Sequence, residues 1–123
     1  LKLHLDGVAG RNRFTGYGAG YVTVNGTRYE RSLVVLPLRI VTDWPATTFE
    51  ALEPSHLAAL VALGAEVVLL GTGERLRFPS PEITRPLVEA RIGLEVMDVQ
   101  AACRTYNILM AEERKVAAAL LLR

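Results

Sequence analysis

Glu66-Val67-Val68-Leu69-Leu70-Gly71-Thr72-Gly73 is the stretch on which the fold class turns. Four consecutive large aliphatic residues, with no polar residue to mark a solvent face, stop at a Gly-Thr-Gly turn. This is the pattern of a strand covered on both faces. Immediately upstream, Pro54 is pre-organised for the first turn of a helix, and Leu57, Leu60 and Val61 recur at helical spacing until Gly64 offers a left-handed stop. Downstream, a second helix is expected between Ser80 and Ile92. Pro86 would clash with the preceding turn if that helix began at Pro81, so the helix should start near Thr84 or kink. Gly93 leads into a strand over Leu94-Glu95-Val96-Met97, Asp98 is placed to cap a third helix running to about Glu113, and Val116 to Leu122 closes the chain as a strand. Strand and helix alternate after residue 50, which favours right-handed crossovers and a largely parallel core.

The first third reads differently. Tyr21-Val22-Thr23-Val24 and Thr27-Arg28-Tyr29-Glu30 flank Asn25-Gly26, a dipeptide that tolerates the positive φ angles of a type I′ hairpin turn. Before it, Phe14 to Gly20 alternates glycine with larger residues, as in a strand that meets close backbone or bends sharply. Leu33 to Leu36 gives another strand stopped by Pro37, and Leu38 to Thr42 a further short one. The expected architecture is a three-layer α/β domain over residues 1–123. It has a mixed, mostly parallel central sheet, an N-terminal antiparallel β-hairpin appendage and about three helices.

Composition narrows the function classes. Fourteen Lys and Arg nearly balance thirteen Asp and Glu, so no global field draws the chain onto nucleic acid. The lone Cys103 excludes an intramolecular disulfide framework and fits a reducing compartment. Leu1 to Asp6 reads as a short alternating strand, with neither the apolar core of a signal peptide nor an Arg-rich amphipathic presequence. No apolar run approaches the roughly 20 residues of a membrane-spanning helix. The expected setting is cytoplasmic, without membrane insertion.

From Met97 the chain reads Met97-Asp98-Val99-Gln100-Ala101-Ala102-Cys103-Arg104-Thr105-Tyr106-Asn107. This block, with Gly71-Thr72-Gly73 upstream, resembles the family of unknown-function domains that contains the mitochondrial complex I assembly factor 3 and uncharacterised bacterial relatives. The resemblance covers nearly the whole chain, and this sequence looks bacterial in type. It departs from the family pattern at Val99-Gln100, where Thr-Gly is common, and at Glu113, where Gly is common. The resemblance implies a non-catalytic, assembly-factor-like interaction domain with a protein partner among membrane-associated complexes. Bacterial relatives are commonly encoded beside genes for membrane-protein insertion.

The residues themselves support two candidate chemistries. If Asp98 caps the third helix, Ala102, Tyr106, Leu109 and Glu113 fall on one stripe, with Cys103 and Met110 beside it, and this face should meet the sheet. Arg104 then either pairs with a carboxylate such as Asp98 or awaits an anion or an acidic partner group. The candidate ligand- or partner-binding set is Gly71, Thr72, Gly73, Asp98, Arg104, Thr105 and Asn107, because ligands in open α/β sheets gather at strand carboxyl ends. Such a pocket would make the chain a small-molecule or anion-binding protein.

No catalytic residue, cofactor or metal is expected. Cys103 on an apolar helix face is a small hydrophobe first, and His4 and His56 carry no metal spacing. Leu76 takes the third glycine position of a dinucleotide fingerprint. Arg75 and Arg77 alternating with Leu76 and Phe78 read as a half-buried strand with a basic outer edge, and Trp44 as a core plug beneath a loop.

Overall fold

A computed structural model describes residues 10–123; the strand expected over Leu1 to Asp6, and His4 with it, lie outside the described residues. Three short strands come first: β1 (Phe14–Gly18), β2 (Tyr21–Val24) and β3 (Thr27–Tyr29), forming an antiparallel sheet in that order. The β2–β3 turn holds Asn25 at φ 53° and Gly26 at φ 84°, the two positive angles a type I′ turn requires. Glycine alternation in β1 coincides with a register shift between Phe14 and Gly16. A Cβ on Gly16 would stand 2.9 Å from the Thr23 hydroxyl, so the bulged strand needs glycine there.

The remaining elements are β4 (Leu33–Leu36), β5 (Arg39–Val41), α1 (Pro54–Val61), β6 (Val67–Gly71), α2 (Pro81–Glu89), β7 (Gly93–Met97), α3 (Val99–Ala111) and β8 (Val116–Leu120). Their strands form a five-stranded mixed sheet in the order β5-β4-β8-β6-β7. β6 runs parallel to both β7 and β8, while β4 is antiparallel to β5 and β8.

Side-chain alternation sorts the core onto the two faces. Val34, Val68, Leu70, Ala117 and Ala119 pack with Leu57 and Leu60 of α1 and Leu87 of α2. Leu33, Val35, Leu69, Val116, Ala118 and Leu120 pack with Cys103, Tyr106 and Met110 of α3 and with Phe14, Val22 and Val24 of the small sheet. The hairpin is therefore part of the third layer, laid beside α3. Trp44 is buried and donates its indole N–H to the His56 carbonyl at 3.0 Å, as expected of a core plug.

Three details differ from the sequence reading. α2 begins at Pro81 and runs through Pro86. Its first turn closes on the Ser80 carbonyl through Ile83 and Thr84, and the fully buried Leu87 anchors the turn that contains the proline. Arg75 to Phe78 is no strand: the segment is a loop with Leu76 and Phe78 exposed. Glu113 does not continue the buried stripe, because α3 ends at Ala111; Glu113 is exposed with φ 62°, while Cys103 and Met110 are buried against the sheet as expected.

An L residue in the left-handed region costs roughly 1–2 kcal/mol, partly offset in Gly by its looser unfolded chain. Glu113→Gly should therefore stabilise the protein by about 1 kcal/mol and raise Tm by roughly 4 °C. Loss of the exposed 3.8 Å pair with Arg11 should cost little. Thermal unfolding monitored by circular dichroism checks this; an unchanged or lower Tm would contradict it.

Candidate functional site

The chain leaves β6 and β7 toward opposite faces of the sheet, α2 on one and α3 on the other. Adjacent strands whose connections diverge leave a crevice at their carboxyl ends. Here the crevice is partly stitched shut. Thr72 donates its N–H to the Met97 carbonyl at 2.9 Å, and Val99 donates to the Gly73 carbonyl at 2.9 Å. What remains is a cavity of about 190 Å³ lined by Gly73, Glu74, Asp98, Val99 and Gln100, and closed from the side by Gly18 and Gly20 of the β1–β2 turn.

Of the seven residues expected from the sequence, the cavity brings Gly73 and Asp98 together. Asp98 caps α3, its carboxylate accepting from the Ala101 N–H at 2.9 Å, and with Glu74 it gives the cavity an acidic lining. Gly71 is buried, and a Cβ there would come within 2.8 Å of the Leu120 side chain. The buried Thr72 hydroxyl donates to the Arg75 carbonyl at 2.8 Å and accepts from the Arg77 N–H at 3.1 Å. Arg104 is exposed on α3 and donates to the Tyr17 hydroxyl at 3.1 Å rather than to Asp98. Thr105 is half-buried beside it. Asn107 grips the small sheet: its amide oxygen accepts from Phe14 N–H at 2.9 Å and its NH₂ donates to Phe14 C=O at 2.8 Å. Tyr106 adds an edge-on contact with the Phe14 ring and donates its hydroxyl to the Asn12 carbonyl at 2.8 Å.

Burial pushes the Cys103 thiol up from an ordinary 9.0 to about 12, so it carries no nucleophilic thiolate at neutral pH. His56 lies on the other side of the sheet, where its ring nitrogen accepts from the Glu53 N–H as part of the α1 cap. Among the described residues there is no group of three or more His, Cys, Asp or Glu suited to a metal ion, and no helix is long and apolar enough to cross a membrane.

Sequence reading missed the loop that leaves the Gly-Thr-Gly turn. Arg77 is turned inward, its guanidinium 4.4 Å over the Phe49 ring and paired with Glu50. Its backbone is tied to Thr72. With the charged residue held in, its apolar neighbours face water: Leu76 is 48% and Phe78 72% exposed. Arg75 is exposed too, so Arg77 alone of the four is held in, against what the residue types suggest. The cause lies in Phe49 and Glu50, too far along the chain to be read from the local pattern.

A family model described as a protein of unknown function (DUF498/DUF598) matches residues 14–121. The chain belongs to this family. A crystal structure of a Bordetella parapertussis protein is 42% identical and superposes with a TM-score of 0.85, covering 92% of this chain and 97% of that one. The bovine NADH dehydrogenase (ubiquinone) 1 alpha subcomplex assembly factor 3 is 30% identical over 123 residues, covering 98% of this chain but 61% of the bovine protein. A 13 kDa major membrane protein of Francisella tularensis is 29% identical over 104 residues, covering 84% of this chain and 85% of that one. The α/β architecture and the relation to the assembly factors thus agree with the resemblance carried by Met97 to Asn107.

Two predictions follow from this geometry. Asn107→Leu should cost about 2 kcal/mol by stranding the Phe14 backbone groups, with loss of amide-exchange protection concentrated in β1 and β2; uniform loss across the sheet would contradict the clasp. The second concerns alkaline pH. The folded Cys103 pKa is raised, so its contribution to stability is intact below pH 9.0 and is lost as pH rises toward about 12. Native protein at pH 8 should resist iodoacetamide, and Cys103→Ala should flatten part of the stability decline above pH 9.0 in denaturant titrations.

Proposed function

We propose that this chain is a non-catalytic interaction domain that acts, like the assembly factors it resembles, in the biogenesis of membrane-associated complexes. Residues 1–123 would work as one domain from the cytoplasmic side. The observation that carries the reading is the loop from Gly73 to Phe78. Large apolar side chains exposed on a rigid support are the anchors of protein–protein contacts, because little ordering entropy is lost when they are covered. Thr72, Phe49 and Glu50 supply that support. Names of relatives point the same way: an assembly factor has protein partners, and the bovine protein aligns over nearly all of this chain.

The sequence-expected residues fit this role as framework. Gly71 and Thr72 set the start of the loop, Gly73 and Asp98 join it to α3, and Asn107 keeps the small sheet against that helix. Arg104, exposed on α3 and bonded to the Tyr17 hydroxyl, and Thr105 beside it would supply a separate polar contact to the partner.

Affinity capture from detergent-solubilised membranes of the source organism tests the proposal. Wild type, Leu76→Ser/Phe78→Ser and Arg104→Ala would be compared after each is shown to be folded. Subunits of a respiratory or insertion complex should be recovered with wild type, be lost with the loop variant and be reduced with Arg104→Ala. Equal recovery by wild type and the loop variant would overturn the assignment of the loop.

A further inference from the structure

At the other end of the sheet, by the amino ends of β6 and β8, lies a groove of about 390 Å³. Its walls are the β4–β5 turn Leu36–Arg39, the α1–β6 connection Leu63–Ala65 and the α3–β8 connection Glu113–Val116, with Arg11 at one side. Four of its five charged residues are basic. Glu113 is engaged by Arg11 at 3.8 Å, and Arg114 is engaged by Glu66 at 3.0 Å, which leaves Arg39 and Lys115 without a carboxylate partner among the described residues. Next to Arg39 on the same turn is Leu38, 81% exposed at its tip.

That tip is held rigidly. Pro37 fixes the backbone before it; the Asn12 N–H donates to the Pro37 carbonyl at 2.8 Å and the Asn12 amide to the Leu36 carbonyl at 2.9 Å. A projecting apolar side chain on a pre-ordered turn, in a groove that also holds two cations with no carboxylate partner among the described residues, complements a surface that is apolar within and anionic at its rim. A peptide lying in the groove would meet the lining, whereas a side chain four-fifths exposed at the end of a turn is covered most fully by a broad surface.

We infer that this end of the molecule docks on an anionic phospholipid surface, with Leu38 entering the acyl boundary and Arg39 and Lys115 meeting lipid phosphates. Binding is peripheral and reversible, because one apolar side chain and two cations do not anchor a protein. The contact is independent of the loop at Leu76 and Phe78, which leaves the opposite end of the sheet. Together the two surfaces would let the chain rest on a membrane while presenting its partner loop away from it.

Sedimentation of the purified chain with lipid vesicles tests this without any protein partner, so its failure would leave the loop assignment standing. Vesicles of phosphatidylcholine mixed with phosphatidylglycerol would be compared with phosphatidylcholine alone, at low and high salt. The wild type should partition onto the anionic vesicles only and be released by salt. Leu38→Asp and Arg39→Glu/Lys115→Glu, both at exposed positions, should each weaken partitioning by about tenfold or more with unchanged circular dichroism. Absence of binding to anionic vesicles, equal binding to neutral ones, or undiminished binding by either variant would overturn the lipid assignment; in the first case an acidic peptide becomes the groove's better occupant.

Discussion

Everything in this fold converges on β8. Val116 to Leu120 is the last strand in the chain and the middle strand of the sheet, paired antiparallel with β4 and parallel with β6. All five of its residues are buried, and three are alanines. The N-terminal half and the βαβ half of the molecule share no other strand pairing within this sheet, so neither half has a complete core before β8 is in place. Small side chains at Ala117, Ala118 and Ala119 let the layers on both faces come close, which is how a short chain fills two cores from one sheet. The cost is kinetic: pairing residue 33 with residue 120 is a long-range contact and should be a late event in folding.

What was legible in the sequence was whatever a few neighbouring residues decide. Asn25-Gly26 sets a turn because both positions need positive φ, and Asp98 caps a helix because its carboxylate reaches an N–H three residues on. The uninterrupted Val67 to Leu70 run showed burial on both faces, and so the layered architecture. A start near Thr84 is not what the chain adopts: α2 begins at Pro81 and accommodates Pro86 in the turn that Leu87 buries. Glu113 was placed on the buried stripe by periodicity that ran past the true helix end. Tertiary packing settled both.

The site was less legible than the fold for a related reason. Arg104 and Asn107 are three residues apart on one helix, yet one reaches Tyr17 and the other the Phe14 backbone, contacts some ninety residues away in sequence. Polar side chains on a helix declare that they will bond, never to what. The same holds for Arg77, whose inward turn depends on Phe49 and Glu50. No reading of Arg75 to Phe78 alone reveals that the two apolar residues face out.

The Gly-Thr-Gly turn shows how a motif at a strand's carboxyl end can be accounted for by packing. Gly71 is required because Leu120 and the Val99 backbone leave no room for a Cβ, at 2.8 and 3.3 Å. Gly73 sits at φ 91°, which only glycine adopts freely. Thr72 is buried because its single hydroxyl serves both the Arg75 carbonyl and the Arg77 N–H. Each residue type is thus explained by the shape of the turn, and no step of that explanation needs a bound phosphate. The residues that geometry does not explain are Leu76 and Phe78, since water gains nothing from large apolar side chains held out on a braced loop. The proposed partner contact rests on that exposure, held in place by Thr72, Phe49 and Glu50 beneath it.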